Sequence, residues 1–196
     1  MLFIFDMGGV VTTTAGKNLY EKISEKLGIT MEEFYEFCGK DTLTDYLQIL
    51  EDGKMTSREF WPIFSKRSGI KVNADWFRLL FHPVLNVKTV EIIKKLKSEG
   101  NRVVCGTNTI DSHYDNHLSR GDYAFFDTTY ASIHMGVSKP DPEFWRLILE
   151  CEGFKPENAF FTDDKEENIK GALECGIKAV RFESAENLRK ELSAWL

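Results

Sequence analysis

The sequence predicts an α/β protein built on a parallel sheet, with a block of helices inserted after the first strand. Three observations carry this expectation. Short apolar runs ending in an acid or a hydroxyl residue recur: Leu2-Phe3-Ile4-Phe5 before Asp6, Arg102 to Gly106 before Thr107, and Ala159 to Thr162 before Asp163-Asp164. From residue 86 onward, segments with helical patterning separate these runs, the spacing of β-α-β units with right-handed crossovers. Between about 15 and 84 the pattern is helical throughout, with no convincing strand.

Taken in order, the first strand is followed at once by Met7-Gly8-Gly9, a tight turn that brings one carboxylate to a strand end. Helices are then expected over Lys17 to Leu27, Met31 to Cys38, Leu43 to Glu51 and Ser57 to Ser68. Tyr20, Ile23 and Leu27 form an apolar stripe on the first of them. Thr30 with Glu33 reads as a capping box, Thr56 or Ser57 offers another helix start, and Gly28, Gly39 and Gly53 mark helix ends. Val87 to Glu99 is the next helix, stopped by Gly100-Asn101. A third strand is expected within Phe125 to Ser132, a helix over Pro142 to Cys151, and another over Asn168 to Glu174. The last strand is Ala179 to Phe182, and a final amphipathic helix carries Leu188, Leu192 and Trp195. The expected domains are a core of residues 1–14 and 86–196 and a helical insertion of residues 15–85.

The chain has 196 residues, 42% hydrophobic and 29% charged, the balance of an ordinary globular protein. A net charge of −6 argues against nonspecific binding to nucleic acid. Cys38, Cys105, Cys151 and Cys175 are widely spaced without a Cys-x-x-Cys pair, which suits reduced thiols and a cytoplasmic location. The amino terminus reaches Asp6 too soon for a signal peptide, and no membrane span is expected. Of the four histidines, His113 and His117 are four apart, but His82 and His134 lie elsewhere, so no zinc site is expected. His113 is expected to be a polar loop residue.

In a parallel sheet all strand ends of one sense share an edge, so Asp6, Thr107 and Asp163-Asp164 converge there. Ser138-Lys139-Pro140 adds a lysine in a loop whose prolines restrict its conformation. Phosphoryl transfer is the chemistry that uses this set. A carboxylate attacks phosphorus, carboxylate-held divalent metal offsets the repulsion between anions, and a hydroxyl, backbone N–H groups and a lysine bind phosphate oxygens.

With these four motifs the chain resembles the haloacid dehalogenase superfamily of aspartate-nucleophile phosphatases, along its whole length. It looks closest to the branch with the α-glucose-1-phosphate phosphatase and the amino-terminal phosphatase domain of soluble epoxide hydrolase, through Asn108-Thr109 and the Asp163 to Asn168 pattern. The resemblance implies a Rossmann-like core, a helical cap and Mg²⁺ as cofactor. It implies that Asp6 is nucleophile and metal ligand, that Thr107 and Asn108 bind phosphate, and that Lys139 pairs with Asp6 and the phosphoryl group. Asp164 is then a direct metal ligand, Asp163 orients a metal-bound water, and Gly8 offers its carbonyl to the metal. Asn168 stands where an acid is common.

Most phosphatases of this family carry an Asp two residues after the nucleophile to move protons. Gly8 cannot do this. Three outcomes follow: an easily expelled leaving group, a substitute acid from the cap or water, or slow turnover. The favoured reading is an Mg²⁺-dependent phosphatase of a small phosphorylated metabolite, sugar phosphates first, acting as a monomer or weak homodimer. The alternatives are a phosphate-binding regulatory protein with little turnover, and a metal-free dehalogenase, against which Asp163-Asp164 argues. Specificity is expected from the cap loop Cys38-Gly39-Lys40-Asp41, with Gly39 and Lys40 as candidates. Trp61, Phe64, Trp76, Phe77 and Phe81 are expected to be packing residues.

Overall fold

Leu2–Phe5 forms β1, a strand with both faces covered, which is why its apolar run is continuous rather than alternating. The computed structural model describes residues 1–14, 18–40 and 42–193. After β1 come β2 (Thr12–Thr14), five helices α1 (Leu19–Leu27), α2 (Met31–Phe37), α3 (Tyr46–Glu51), α4 (Ser57–Ser68) and α5 (Trp76–Leu79), then β3 (Pro83–Leu85). The remainder runs α6 (Val87–Ser98), β4 (Arg102–Thr107), α7 (Asp111–Arg120), β5 (Thr128–Ala131), α8 (Ser132–Met135) and α9 (Pro142–Glu152). It closes with β6 (Ala159–Asp163), α10 (Glu166–Glu174), β7 (Lys178–Arg181) and α11 (Ala185–Ser193).

The main sheet is parallel with order β5-β4-β1-β6-β7, so β1 is its centre. Alternate residues of β1 serve two cores. Phe3 and Phe5 face a layer with Ile93 and Leu96 of α6 and Leu188 and Leu192 of α11. Leu2 and Ile4 face Phe144, Trp145 and Ile148 of α9 and Ala172 of α10. The sheet is thus filled on both sides, and chemistry is left to its carboxyl edge.

Helices α1 to α5 build a third core of their own, rich in aromatic side chains: Phe34, Phe60, Trp61, Phe64 and Phe77. Trp76 packs against this cluster and Phe81 stacks on His113 at 3.9 Å, so these aromatics are packing residues. The capping boxes Thr30–Glu33 and Thr56–Glu59 are both present. The block is tied to the rest of the chain by polar contacts. The Ser57 N–H and hydroxyl donate to Asp111 at the start of α7, and the Ser112 hydroxyl donates to Asp75.

The structure departs from the sequence expectations in several places. Pro83–Leu85 is a strand, paired antiparallel with Thr12–Thr14, in a region read as lacking strands. This two-stranded ribbon joins the helical block to the sheet. The strand expected within Phe125 to Ser132 starts only at Thr128, after a 3-10 turn over Asp122–Phe125. Asp127 ends that turn: its N–H donates to the Val103 carbonyl, and its carboxylate accepts from the Val103 N–H. Helix α3 begins at Tyr46 rather than Leu43, because the Asp45 carboxylate accepts from the N–H groups of Leu47 and Gln48. Lys17 of the expected first helix, Asp41 of the cap loop and Trp195 lie outside the described residues.

Candidate active site

Asp6 continues the β1 ladder by donating its N–H to the Thr162 carbonyl at 3.0 Å. Phe5 is in register with Cys105 and Thr162, so one step further places Asp6 between Gly106 and Asp163. The turn after it closes on itself, with the N–H groups of Val11 and Thr12 donating to the Met7 carbonyl. Gly9 sits at φ +77°, and a Cβ there would overlap the Asp164 carboxylate. At Gly8 a Cβ would meet open space.

Lys139 joins the strand ends. Its Nζ donates to Asp6 Oδ1 at 2.7 Å, to Asp163 Oδ2 at 2.6 Å and to the Gly106 carbonyl at 2.9 Å. An ammonium has three protons, and all three are used. The side chain is 1% exposed, so its charge is compensated by these carboxylates instead of water. Its loop is held from the second strand end. Asn108 Oδ1 accepts from the Lys139 N–H at 2.9 Å and Asn108 Nδ2 donates to the Lys139 carbonyl at 2.8 Å. Thr107 is buried at the end of β4, its hydroxyl donating to the Asn108 carbonyl at 3.2 Å.

The two adjacent acids of β6 have different surroundings. Asp163 is fully buried and accepts from Lys139, from Asn168 Nδ2 at 2.9 Å and from the Lys165 N–H at 2.9 Å. Its carboxylate fixes Lys139 and the start of α10. Asp164 is half-buried and turns towards Gly9. Carboxylate oxygens of Asp6, Asp163 and Asp164 all lie within 4.8 Å of one another. Burial pushes the Asp6 carboxyl up to about 7, Lys139 opposes this, and Asp163 adds to the rise. Burial, followed by the Asp163 charge, likewise raises Asp164. On Lys139 burial acts downward, but Asp6 and Asp163 together hold it above the ordinary lysine value. Three acids around one lysine leave an excess of negative charge, and the donors are all hard oxygens, a set that fits Mg²⁺.

Asp6, Gly8, Asn108, Lys139 and Asp164 line one cavity of about 180 Å³, together with Lys165 and Asn168. Lys40 lies elsewhere, with its ammonium over the Tyr35 ring at 4.3 Å, and the left-handed Gly39 accommodates the Thr44 carbonyl. The helical block reaches the site instead through α3. Gln48 Nε2 donates to Ser138 Oγ at 2.7 Å, and Ser138 Oγ donates to Asp52 Oδ1 at 2.9 Å. Glu51 Oε2 stands 3.5 Å from Asn108 Nδ2. Sequence reasoning missed Gln48, Glu51, Asp52 and Lys165. The one local signal was Gly53, whose left-handed turn lies against the Ile133 carbonyl, where a Cβ would collide. His113 lies in α7, partly buried and stacked on Phe81, a packing position rather than a polar loop.

The chain and its fold have counterparts among known proteins. A family model described as haloacid dehalogenase-like hydrolase matches residues 1–176. The chain belongs to that family. Its parallel sheet is the Rossmann-like α/β core that this family implies. The D-ribitol-5-phosphate phosphatase of Bacteroides thetaiotaomicron is 24% identical over 98% of this chain and 97% of its own length. The GMP/IMP nucleotidase YrfG of Escherichia coli is also 24% identical, over 89% of this chain and 79% of its own. The crystal structure of the HAD family enzyme bt-2542 from Bacteroides thetaiotaomicron, complexed with magnesium and inorganic phosphate, superposes with a TM-score of 0.75. It is 26% identical and covers 92% of each chain. The chain spans less than a third of the length of the first curated relatives it matches, 29%, 19% and 28%.

Proposed function

We propose that the protein is an Mg²⁺-dependent phosphatase that hydrolyses a small phosphomonoester, sugar phosphates first, through an aspartyl-phosphate on Asp6. The observation that carries this reading is the buried lysine shared between Asp6 and Asp163 at the carboxyl edge of the sheet. Asp6, Asp164 and the Gly8 carbonyl would hold Mg²⁺, which when bound supplies positive charge against the repulsion between phosphate and carboxylate. Asp6 provides the attacking oxygen, and Lys139 keeps that carboxylate oriented and partly neutralised. The Thr107 hydroxyl and the Asn108 N–H bind non-bridging phosphate oxygens, with the Lys139 charge beside them. Asp163 and Asn168 hold Lys139 and α10 in place.

Residues 15–85 act as the cap over a core of residues 1–14 and 86–196, and specificity comes from the α3 face of that cap. The cavity of about 180 Å³ suits a phosphoryl group, and leaves the rest of the substrate to extend towards the cap. Relatives named for a polyol phosphate and for purine nucleotides support a hydroxylated phosphomonoester as substrate. Among the described residues no helix is long and apolar enough to cross a membrane. A cytoplasmic monomer or weak homodimer without nucleic-acid or membrane partners completes the proposal. Gly8 favours one second reading, a phosphate-binding regulator with little turnover.

The test is hydrolysis of 4-nitrophenyl phosphate by the parent protein and by Asp6→Asn, each with Mg²⁺ and with EDTA. The parent is expected to act only with Mg²⁺ and the variant not at all. Turnover that survives chelation or the substitution would overturn the mechanism. Phosphate binding without turnover would support the regulatory reading.

A further inference from the structure

Gly8 leaves the proposed reaction without a proton donor two residues beyond the nucleophile. The leaving oxygen needs a proton, and the water that later attacks phosphorus must lose one. Of the groups that meet around Asp6, Lys139 has all three protons committed, and Asp163 accepts from three protein donors. Asp6 is the nucleophile, and Asp164 is a proposed metal ligand.

One further carboxyl enters from the opposite side. Glu51 is the last residue of α3 and stands 3.5 Å from the amide of Asn108, which itself lines the site cavity. Its position is fixed from both directions. On the core side, Asn108 is pinned by its two-point pairing with the Lys139 backbone. On the cap side, Gln48 and Asp52 flank Glu51 and bond to Ser138, while Gly53 packs on the Ile133 carbonyl. The contact to Asn108 is long, so it holds the carboxyl near the site without binding it tightly. Catalytic contacts in unliganded proteins are commonly long in this way.

We propose that Glu51 is the general acid and base of this site, in place of the side chain that Gly8 lacks. The inference rests on the phosphatase reading above. In the first step an Asp6 oxygen bonds to phosphorus, the bond from phosphorus to the leaving oxygen breaks, and the Glu51 proton passes to that oxygen. In the second step the Glu51 carboxylate takes a proton from water, whose oxygen bonds to phosphorus as the bond to Asp6 breaks. Glu51 ends protonated and Asp6 ends as a carboxylate. Burial raises Glu51 above the ordinary glutamate value, which favours the acid form needed in the first step. Lys165 before α10, the Asn108 amide and Lys139 act downward on it, while Asp52, the next residue, acts upward. Tyr20 of α1 also faces it.

The test compares two leaving groups in the full chain with Mg²⁺. Nitrophenolate departs without a proton, whereas the alkoxide of a sugar-alcohol phosphate does not. For Glu51→Gln, kcat/KM on ribitol 5-phosphate is expected to fall about 100-fold or more, and on 4-nitrophenyl phosphate less than about 5-fold. The double variant Gly8→Asp/Glu51→Gln is expected to recover part of the ribitol 5-phosphate loss, because a side chain at position 8 meets open space. Inorganic phosphate with Mg²⁺ should raise the melting temperature of Glu51→Gln as much as that of the parent. Equal losses on both substrates, no loss on either, or a lost phosphate response would overturn the role of Glu51 while leaving a phosphatase. A parent without turnover, or an active Asp6→Asn, would remove the phosphatase reading itself and this inference with it.

Discussion

Replacing Lys139 with Met keeps most of the aliphatic stem and removes the one cation shared by two buried carboxylates. Three donations are lost at once, at 2.7, 2.6 and 2.9 Å, to Asp6, Asp163 and the Gly106 carbonyl. Asn168 and the Lys165 N–H still serve Asp163, so it retains part of its compensation. Among the described residues Asp6 keeps no comparable side-chain partner, and it lies beside two other acids. Removing one partner of a buried ion pair typically costs about 3–5 kcal/mol, because the remaining charge stays desolvated. In a protein of this size each kcal/mol moves the melting temperature by about 2–4 °C, so the expected drop is about 6–20 °C. The assay is thermal unfolding followed by circular dichroism in EDTA, comparing Lys139→Met with the parent. Adding Mg²⁺ should return part of the loss, since cation binding among the acids replaces some of the missing charge. A drop below about 2 °C would refute the argument that Lys139 compensates these carboxylates.

Other substitutions test separate parts of the structure. Gly9→Ala places a methyl group in the Asp164 carboxylate at a positive φ, at a cost of about 1–3 kcal/mol. It should also weaken the stabilisation by Mg²⁺, read by thermal shift. Ser138→Ala removes the hydroxyl that joins Gln48 and Asp52 to the Lys139 loop and should cost about 1 kcal/mol in urea unfolding. His113 is held down to about 3, first by burial and then by His117, so below its unfolded value of 6.5 only the unfolded chain takes up a proton there. Its share of stability is therefore full above pH 6.5 and falls towards pH 3, by up to about 1.4 kcal/mol per pH unit. His113→Phe, which retains an aromatic ring against Phe81, should flatten the fall in urea midpoint between pH 6 and 5.

The parts of the fold that were legible in sequence are those with strong local signals. The continuous apolar run Leu2 to Phe5 identifies a strand buried on both faces, and the recurrent acid or hydroxyl at strand ends locates the site. Thr30–Glu33 and Thr56–Glu59 show their helix starts because a capping box is a contact between residues three apart. The ribbon of Thr12–Thr14 and Pro83–Leu85 gave no such signal. Two three-residue strands have no measurable periodicity, and their pairing spans the whole helical block. The different surroundings of Asp163 and Asp164 were hidden for another reason. Successive residues at a strand end point to different sides, and only the packing shows which side holds Lys139. The cap loop at Lys40 drew notice for its glycine, while α3 carries polar side chains to the Ser138 and Asn108 loops. What directs it there is the fit of Gly53 against the Ile133 carbonyl and the bonds to Ser138, partners at least 80 residues distant. Glu51 was therefore indistinguishable from any other acid on a helix.

The central claim is that Asp6 carries the phosphoryl group during turnover. Acid-quenched single-turnover samples with Mg²⁺ and 4-nitrophenyl phosphate, digested and analysed by mass spectrometry, test it directly. The account predicts a phosphoryl group on the peptide containing Asp6, appearing with the nitrophenolate and decaying as phosphate is released, and absent from Asp6→Asn. Nitrophenolate release at the parent rate by Asp6→Asn, with that peptide unmodified in both proteins, would contradict it.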